Sequence, residues 1–134
     1  MSDLQEGQAL TGFSRTVTTD RIEKYADASG DHNPLHLDPE YAKSTQFEGI
    51  IAHGMLSMAF ACELMAANFP ETWHAGGKMK LRFKAPVFPG ETVEVKGEVQ
   101  AIKEIDGQTV AQCAVSCLKP DGTEALGGTI TVPV

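Results

Sequence analysis

The sequence predicts an α+β domain in which an antiparallel sheet curls around one long helix. Three observations carry this expectation. Residues from His53 to Asn68 are apolar nearly all the way round a helical projection, with only Ser57, Glu63 and Asn68 breaking the run, and a helix without a polar face is a buried one. Downstream, Lys78 to Ala85 and Thr92 to Lys103 alternate polar and apolar residues, the signature of half-buried strands. Tight-turn dipeptides, Pro89-Gly90, Asp106-Gly107 and Asp121-Gly122, separate these runs and favour antiparallel neighbours.

Each element follows in order. Gln8 to Thr18 reads as a first strand. Thr19 or Asp20 then caps a helix to about Ala28, with Ile22, Tyr25 and Ala26 on one face. Ser29-Gly30 stops it. Asp31 to Leu37 contains Asn33-Pro34 and is read as non-helical, because proline lacks a donor and restricts the residue before it. Asp38-Pro39 starts a short helix to Ser44. The long helix from His53 ends at Phe69-Pro70. Strands at Lys78–Ala85, Thr92–Lys103, Thr109–Leu118 and Glu124–Val132 complete a meander after the helix.

Composition bounds the function. A chain of 134 residues is one domain, read here as spanning 1–134. Hydrophobic residues make up 42%, too many for a disordered chain. The net charge of −7 disfavours nucleic acid as a partner, since duplex binding calls for a basic surface. The acidic start has no basic and apolar leader pattern, and the longest apolar stretch is interrupted by polar residues, so neither a signal peptide nor a membrane span is expected. Cys62, Cys113 and Cys117 are an odd set without metal-finger spacing; free thiols in a reducing cytoplasm are the expectation.

The informative stretch runs from Tyr25 to Asp38, YADASGDHNPLHLD. Asp31 and His36 lie five residues apart across a loop constrained by Gly30 and Pro34. A carboxylate and an imidazole aimed at one point can share a water and move its protons. Other readings stay open from the residues alone. Asp31 could cap a turn while His36 packs on the next helix. His32 and His36 have an i, i+4 spacing that suits a metal on a helix, but Pro34 interrupts that helix and no third soft ligand is near. Ser29 could act as a nucleophile with His36, yet it lacks the G-x-S-x-G elbow.

Ser29-Gly-Asp-His-Asn-Pro-Leu-His36 resembles the hydratase motif of the MaoC-like (R)-specific enoyl-CoA hydratases, which have the hot-dog fold. Ala52-His-Gly-Met-Leu56 and Arg82-Phe-x-x-Pro-Val-Phe-Pro-Gly-Glu91 continue the resemblance in the same order, and it spans about Phe13 to Val132. The resemblance implies a catalytic pair at Asp31 and His36 and an oxyanion-binding amide at Gly54. Elementary physics supports that last position: a helix start presents free N–H groups and a positive dipole end, and glycine lets a ligand approach closely. The implied reaction is the addition of water to a trans-2-enoyl thioester, giving an (R)-3-hydroxyacyl thioester, and its reverse. No metal and no cofactor are implied.

Asn33, His53 and Met55 are candidate substrate contacts; Asn33 could equally shape the loop, and His53 could orient it. Met58, Phe60, Cys62 and Met65, with Met55, are candidates for an acyl tunnel along the helix. Lys78, Lys80, Arg82 and Lys84 gather on one strand face of an acidic chain. A solvated face accounts for them, as does a patch for coenzyme A phosphates or an acidic acyl-carrier protein, with Lys80, Arg82 and Lys84 as the contacts. The family resemblance further implies a homodimer joined through sheet edges. A hot-dog thioesterase and a non-catalytic thioester-binding subunit are the rival functions.

Overall fold

The computed structural model describes residues 4–134. In chain order the elements are β1 (Phe13–Thr16), α1 (Thr19–Ser29), α2 (Pro34–Leu37), α3 (Pro39–Lys43), α4 (Gly54–Asn68), α5 (Trp73–Gly76), β2 (Lys78–Phe83), β3 (Thr92–Ile105), β4 (Gln108–Leu118) and β5 (Glu124–Pro133). The strands form one antiparallel sheet in the order β1-β3-β4-β5-β2. The α+β class is that expected; the meander is met by β3, β4 and β5, while β2 pairs with β5 and not with β3. Alternation drives the packing: Val93, Val95 and Val99 of β3 are buried, as are Cys113, Val115 and Cys117 of β4 and Ile130 and Val132 of β5. Against this face lies α4, contributing Leu56, Phe60, Ala61, Leu64 and Met65 to the core.

Four expectations are corrected. The first strand is only Phe13–Thr16. Residues before it still bond to β3, through Gly7 N–H to Val99 O and Leu10 N–H to Gly97 O. The register slips by one residue between the Ala9–Glu98 bridge and the Phe13–Val95 pair, which breaks the ladder there. Second, residues 34–37 do form one helical turn, α2, because proline is tolerated at the first helical position and Asn33 caps the end. Third, α5 is an additional turn, closed by the Gly77 N–H to Trp73 O bond. Fourth, α4 is not covered on all sides. Met55 is 52% exposed, Ala59, Glu63 and Ala67 are exposed, and Met58, Cys62 and Ala66 are half-buried. The sheet covers one side of the helix and leaves a stripe open. Glu63 on that stripe pairs with Arg15 of β1.

Candidate active site

The site is built where α1 gives way to α2. Gly30 ends α1 in the left-handed region, φ 80°, with its N–H on Ala26 O, a conformation glycine adopts without the Cβ penalty. The chain then turns through Asp31. The Asp31 amide donates to Ser29 Oγ at 3.2 Å, and one Asp31 carboxylate oxygen accepts the Asn33 N–H at 3.2 Å. The second carboxylate oxygen is left for solvent or ligand, and the residue is exposed. Asn33 Oδ1 accepts the Leu35 N–H at 3.0 Å, so its side chain is used as the α2 cap. Asp38 closes α2 and caps α3, accepting from Glu40 and Tyr41.

That short helix turns His36 toward the segment entering α4. His36 Nδ1 lies 2.7 Å from the Ile51 carbonyl. A carbonyl can only accept, so Nδ1 carries the proton and Nε2 is the nitrogen left for chemistry. His53 is the other anchor. It is 2% exposed, and its Nε2 donates to the Asp31 carbonyl at 2.9 Å. Its ring stacks on that of His36, centroids 3.9 Å apart and planes 27° apart, with Tyr25 on another side at 4.9 Å. One buried imidazole therefore holds both the backbone of Asp31 and the ring of His36. Its own Nδ1 is buried without a partner.

Asp31, His36 and His53 each offer a ligating atom within 4.8 Å of the others. For the first two, this spacing lets a single water bridge carboxylate and imidazole through two ordinary hydrogen bonds. The third argues against a metal. The two rings stack, 3.9 Å between centroids and 27° between planes, and send their free lone pairs along nearly parallel planes. A metal about 2.1 Å from one ring nitrogen would sit outside the plane of the other.

His53 leads directly into the N-terminus of α4. Its side chain makes no cap bond. The Leu56 N–H bonds to His53 O, but among the described residues the Gly54 N–H has no acceptor. A free amide at the positive end of a 15-residue helix suits an anionic oxygen. Gly54 borders a cavity of about 260 Å³. Phe47, Ile51 and Ala52 form one wall, Ser57 the helix side, and Phe83 through Val87 the far wall. A Cβ on Gly54 would stand 3.0 Å from the Phe83 ring, which is 53% exposed.

The loop after β2 that walls this cavity is tied down from several directions. Lys84 N–H bonds to Ala125 O, Val87 O accepts from Ala52, and Gly90 N–H and Glu91 O bond to Val17. Lys119 of the β4–β5 turn supports it from beneath. Its ammonium, on a side chain 11% exposed, donates to Pro86 O at 2.7 Å and lies 3.3 Å from Glu91 Oε1. Glu91 Oε1 in turn accepts the Phe88 N–H.

The residues singled out in the sequence are thus divided. Asp31, His36 and His53 come together, and of these His53 borders the cavity that Gly54 lines. Met55 is exposed on the open stripe and Asn33 is a cap; neither borders the cavity. Phe60 and Met65 are in the core, while Met58 and Cys62 lie along the stripe. Of the cationic strand face, Lys84 reaches the cavity wall and pairs with Glu124 at 3.2 Å. Lys80 and Arg82 lie on the opposite face of β2 from Met79, Leu81 and Phe83, pointing away from α4. Sequence reasoning missed Phe47, Ser57, Phe83 and Lys119. Phe83 was within reach, since the strict alternation of β2 puts it on the helix side.

The cysteines are free. Burial pushes Cys113 up to about 11. Burial, and then the nearby Glu124 charge, pushes Cys117 up to about 12.

Comparison with known proteins identifies the family and the fold. Residues 4–117 match the MaoC like domain. An (R)-specific enoyl-CoA hydratase of Aeromonas caviae is 40% identical over 101 residues, covering 75% of this chain and 75% of that protein. A mitochondrial 3-hydroxyacyl-[acyl-carrier-protein] dehydratase of Solanum lycopersicum is 30% identical over 118 residues, 88% of this chain and 70% of the relative. The solved (R)-hydratase from A. caviae involved in PHA biosynthesis superposes with a TM-score of 0.85 at 31% identity, covering 98% of each chain. The matched domain, the identities of these relatives and the superposed fold make one assignment: the chain belongs to the MaoC-like family of hydratases and dehydratases, with the hot-dog fold.

Proposed function

We propose that this chain adds water to trans-2-enoyl-CoA, giving (R)-3-hydroxyacyl-CoA, and catalyses the reverse dehydration. The observation that carries the reading is the approach of Asp31 and His36 to within 4.8 Å, both held by His53, the residue that precedes the unpaired Gly54 amide. The names of the relatives support the same chemistry and leave two thioester carriers, coenzyme A and acyl-carrier protein.

In the proposed mechanism a water sits between the free Asp31 oxygen and His36 Nε2. The thioester oxygen accepts the Gly54 N–H. Asp31 takes a proton as the water oxygen bonds to C3, and the electron pair of the C2–C3 double bond moves toward the thioester. The helix-end amide stabilises the resulting enolate oxygen. Asp31 passes that proton to His36 Nε2, which delivers it to C2 on the same face, so carboxylate and neutral imidazole end as they began. The sum is one water added.

The decisive assay follows loss of the enoyl absorbance of crotonyl-CoA, with chiral analysis of the product and a thiol dye in parallel. Asp31→Asn is expected to lower kcat at least about a hundredfold, as for loss of an acid/base group. Near-full activity in that variant, an (S) product, or thiol release in place of hydration would overturn the proposal.

The stripe of α4 and the two open sheet edges support a homodimer as part of this reading. Met55, Met58, Ala59, Cys62 and Ala66 form an apolar surface on a chain with two edge strands, β1 and β2, and unpaired edges are a liability that association removes. Sedimentation at micromolar concentration should give twice the chain mass. A monomer would contradict it.

A further inference from the structure

We infer that the Ser57 hydroxyl is a second donor to the thioester oxygen, acting beside the Gly54 amide; this rests on the proposed hydratase reading and assigns a further residue to it. Ser57 is a buried polar residue, 5% exposed, in an otherwise apolar stretch of α4. It borders the cavity together with Gly54.

Elimination narrows the cavity's polar groups. Its lining has three polar side chains: His53, Ser57 and Lys84. His53 donates to the Asp31 carbonyl, and Lys84 pairs with Glu124. The Ser57 hydroxyl has no protein partner among the described residues. Serine within a helix commonly returns its hydroxyl to the carbonyl four residues earlier. Here that would be His53 O, and no such bond forms; His53 O receives the Leu56 N–H instead. A hydroxyl kept from its usual backbone acceptor, inside a cavity, has its donor available for a ligand.

Direction supports the same assignment. Side chains on a helix lean toward its N-terminus, and residues three apart share a face. Ser57 therefore leans over the turn that begins at Gly54, toward the position a thioester oxygen takes when it accepts the Gly54 N–H. The Ser57 main chain is fixed as well, since its carbonyl faces the Cys117 thiol at 3.7 Å. Two donors converging on one oxygen, one from the backbone and one from a hydroxyl, stabilise charge that grows during addition at C3 more than they stabilise the neutral substrate.

The test uses the full chain. With crotonyl-CoA, Ser57→Ala is expected to lower kcat at least about tenfold, with KM within about threefold, because the lost bond strengthens in the transition state. Ser57→Thr should restore most of the activity. Ser57→Cys, close in shape but with a poor donor, should behave as alanine does, and it serves if alanine disturbs packing. A second readout does not need turnover. The carbonyl band of butyryl-CoA labelled with carbon-13 at C1, a saturated thioester that cannot be hydrated, should lie at lower frequency bound to wild type than bound to Ser57→Ala or Ser57→Cys. If wild type fails to hydrate crotonyl-CoA, the hydratase reading falls while the infrared measurement still decides the role of Ser57. A smaller loss of kcat, a loss carried by KM alone, or an unmoved carbonyl band would overturn the inference.

Discussion

Replacing His53 with phenylalanine should separate stability from activity. The imidazole contributes a hydrogen bond to the Asp31 carbonyl at 2.9 Å and a stack on His36 at 3.9 Å. It also carries a buried Nδ1 with no partner. Phenylalanine keeps the stack and removes both nitrogens. Losing the hydrogen bond costs about 1 kcal/mol, while removing an unsatisfied buried polar atom returns about 1–3 kcal/mol. The extra ring atom in a tight site costs about 1–3 kcal/mol. The sum runs from a loss of about 3 to a gain of about 1 kcal/mol and centres on a loss of about 1 kcal/mol, so the urea transition should report only a small loss. Activity behaves differently. Without the Nε2–H bond the Asp31 loop loses its tie to α4, and a small misplacement of an acid/base group is costly. We expect kcat on crotonyl-CoA to fall at least about tenfold while the protein stays folded. Alanine at the same site, which also removes the stack and leaves a void, should lose about 3 kcal/mol of stability as well. Wild-type kcat in His53→Phe would refute the idea that this ring positions the pair.

Three further predictions follow from the same geometry. Gly54→Ala puts a methyl 3.0 Å from the Phe83 ring, a ring exposed enough to yield; stability should change by less than about 1 kcal/mol, while kcat/KM falls at least about tenfold because the methyl stands beside the oxyanion position. Lys119→Met leaves Glu91 and the Pro86 carbonyl without their cation, and a thermal melt should report a loss of about 1–3 kcal/mol, with a raised KM from the loosened cavity wall. Alkali should unfold the protein through Cys113 and Cys117. Their folded thiols hold protons more tightly than the ordinary value of 9.0, so the stability they contribute is complete below pH 9.0 and is lost as pH rises through about 11 and about 12. Urea midpoints measured from pH 8 upward should fall across that window, and the Cys113→Ala, Cys117→Ala double variant should fall less.

Much of this architecture was legible in the sequence because period and turn chemistry agree. Val93, Val95 and Val99 alternate with charged residues, and Asp106-Gly107 adopts the positive φ that a hairpin requires, so β3 and β4 could be paired by reading alone. The Asp31–His36 pair was legible because Gly30 and Pro34 restrict the chain between α1 and α2. The limits are equally physical. Apolar residues on α4 do not report what covers them, so the open stripe from Met55 to Ala66 was invisible to a rule that equates apolar with buried. Pro34 reads as a helix breaker in the sequence, although it occupies the first turn of α2, where its missing N–H has no helical partner. His53 could not be placed from local pattern, since its two anchoring contacts lie 22 and 17 positions away in sequence. Ser57 and Lys119 depend on pairings between distant elements and leave no local periodic signal.

The central claim is that a water-holding carboxylate–imidazole pair and a free helix-end amide serve one substrate. A crystal structure of the Asp31→Asn variant soaked with crotonyl-CoA tests it most directly. The account predicts the thioester oxygen about 3 Å from the Gly54 nitrogen, with C3 facing residue 31 and His36. A thioester bound with its oxygen elsewhere, or with C1 in place of C3 against the pair, would contradict it.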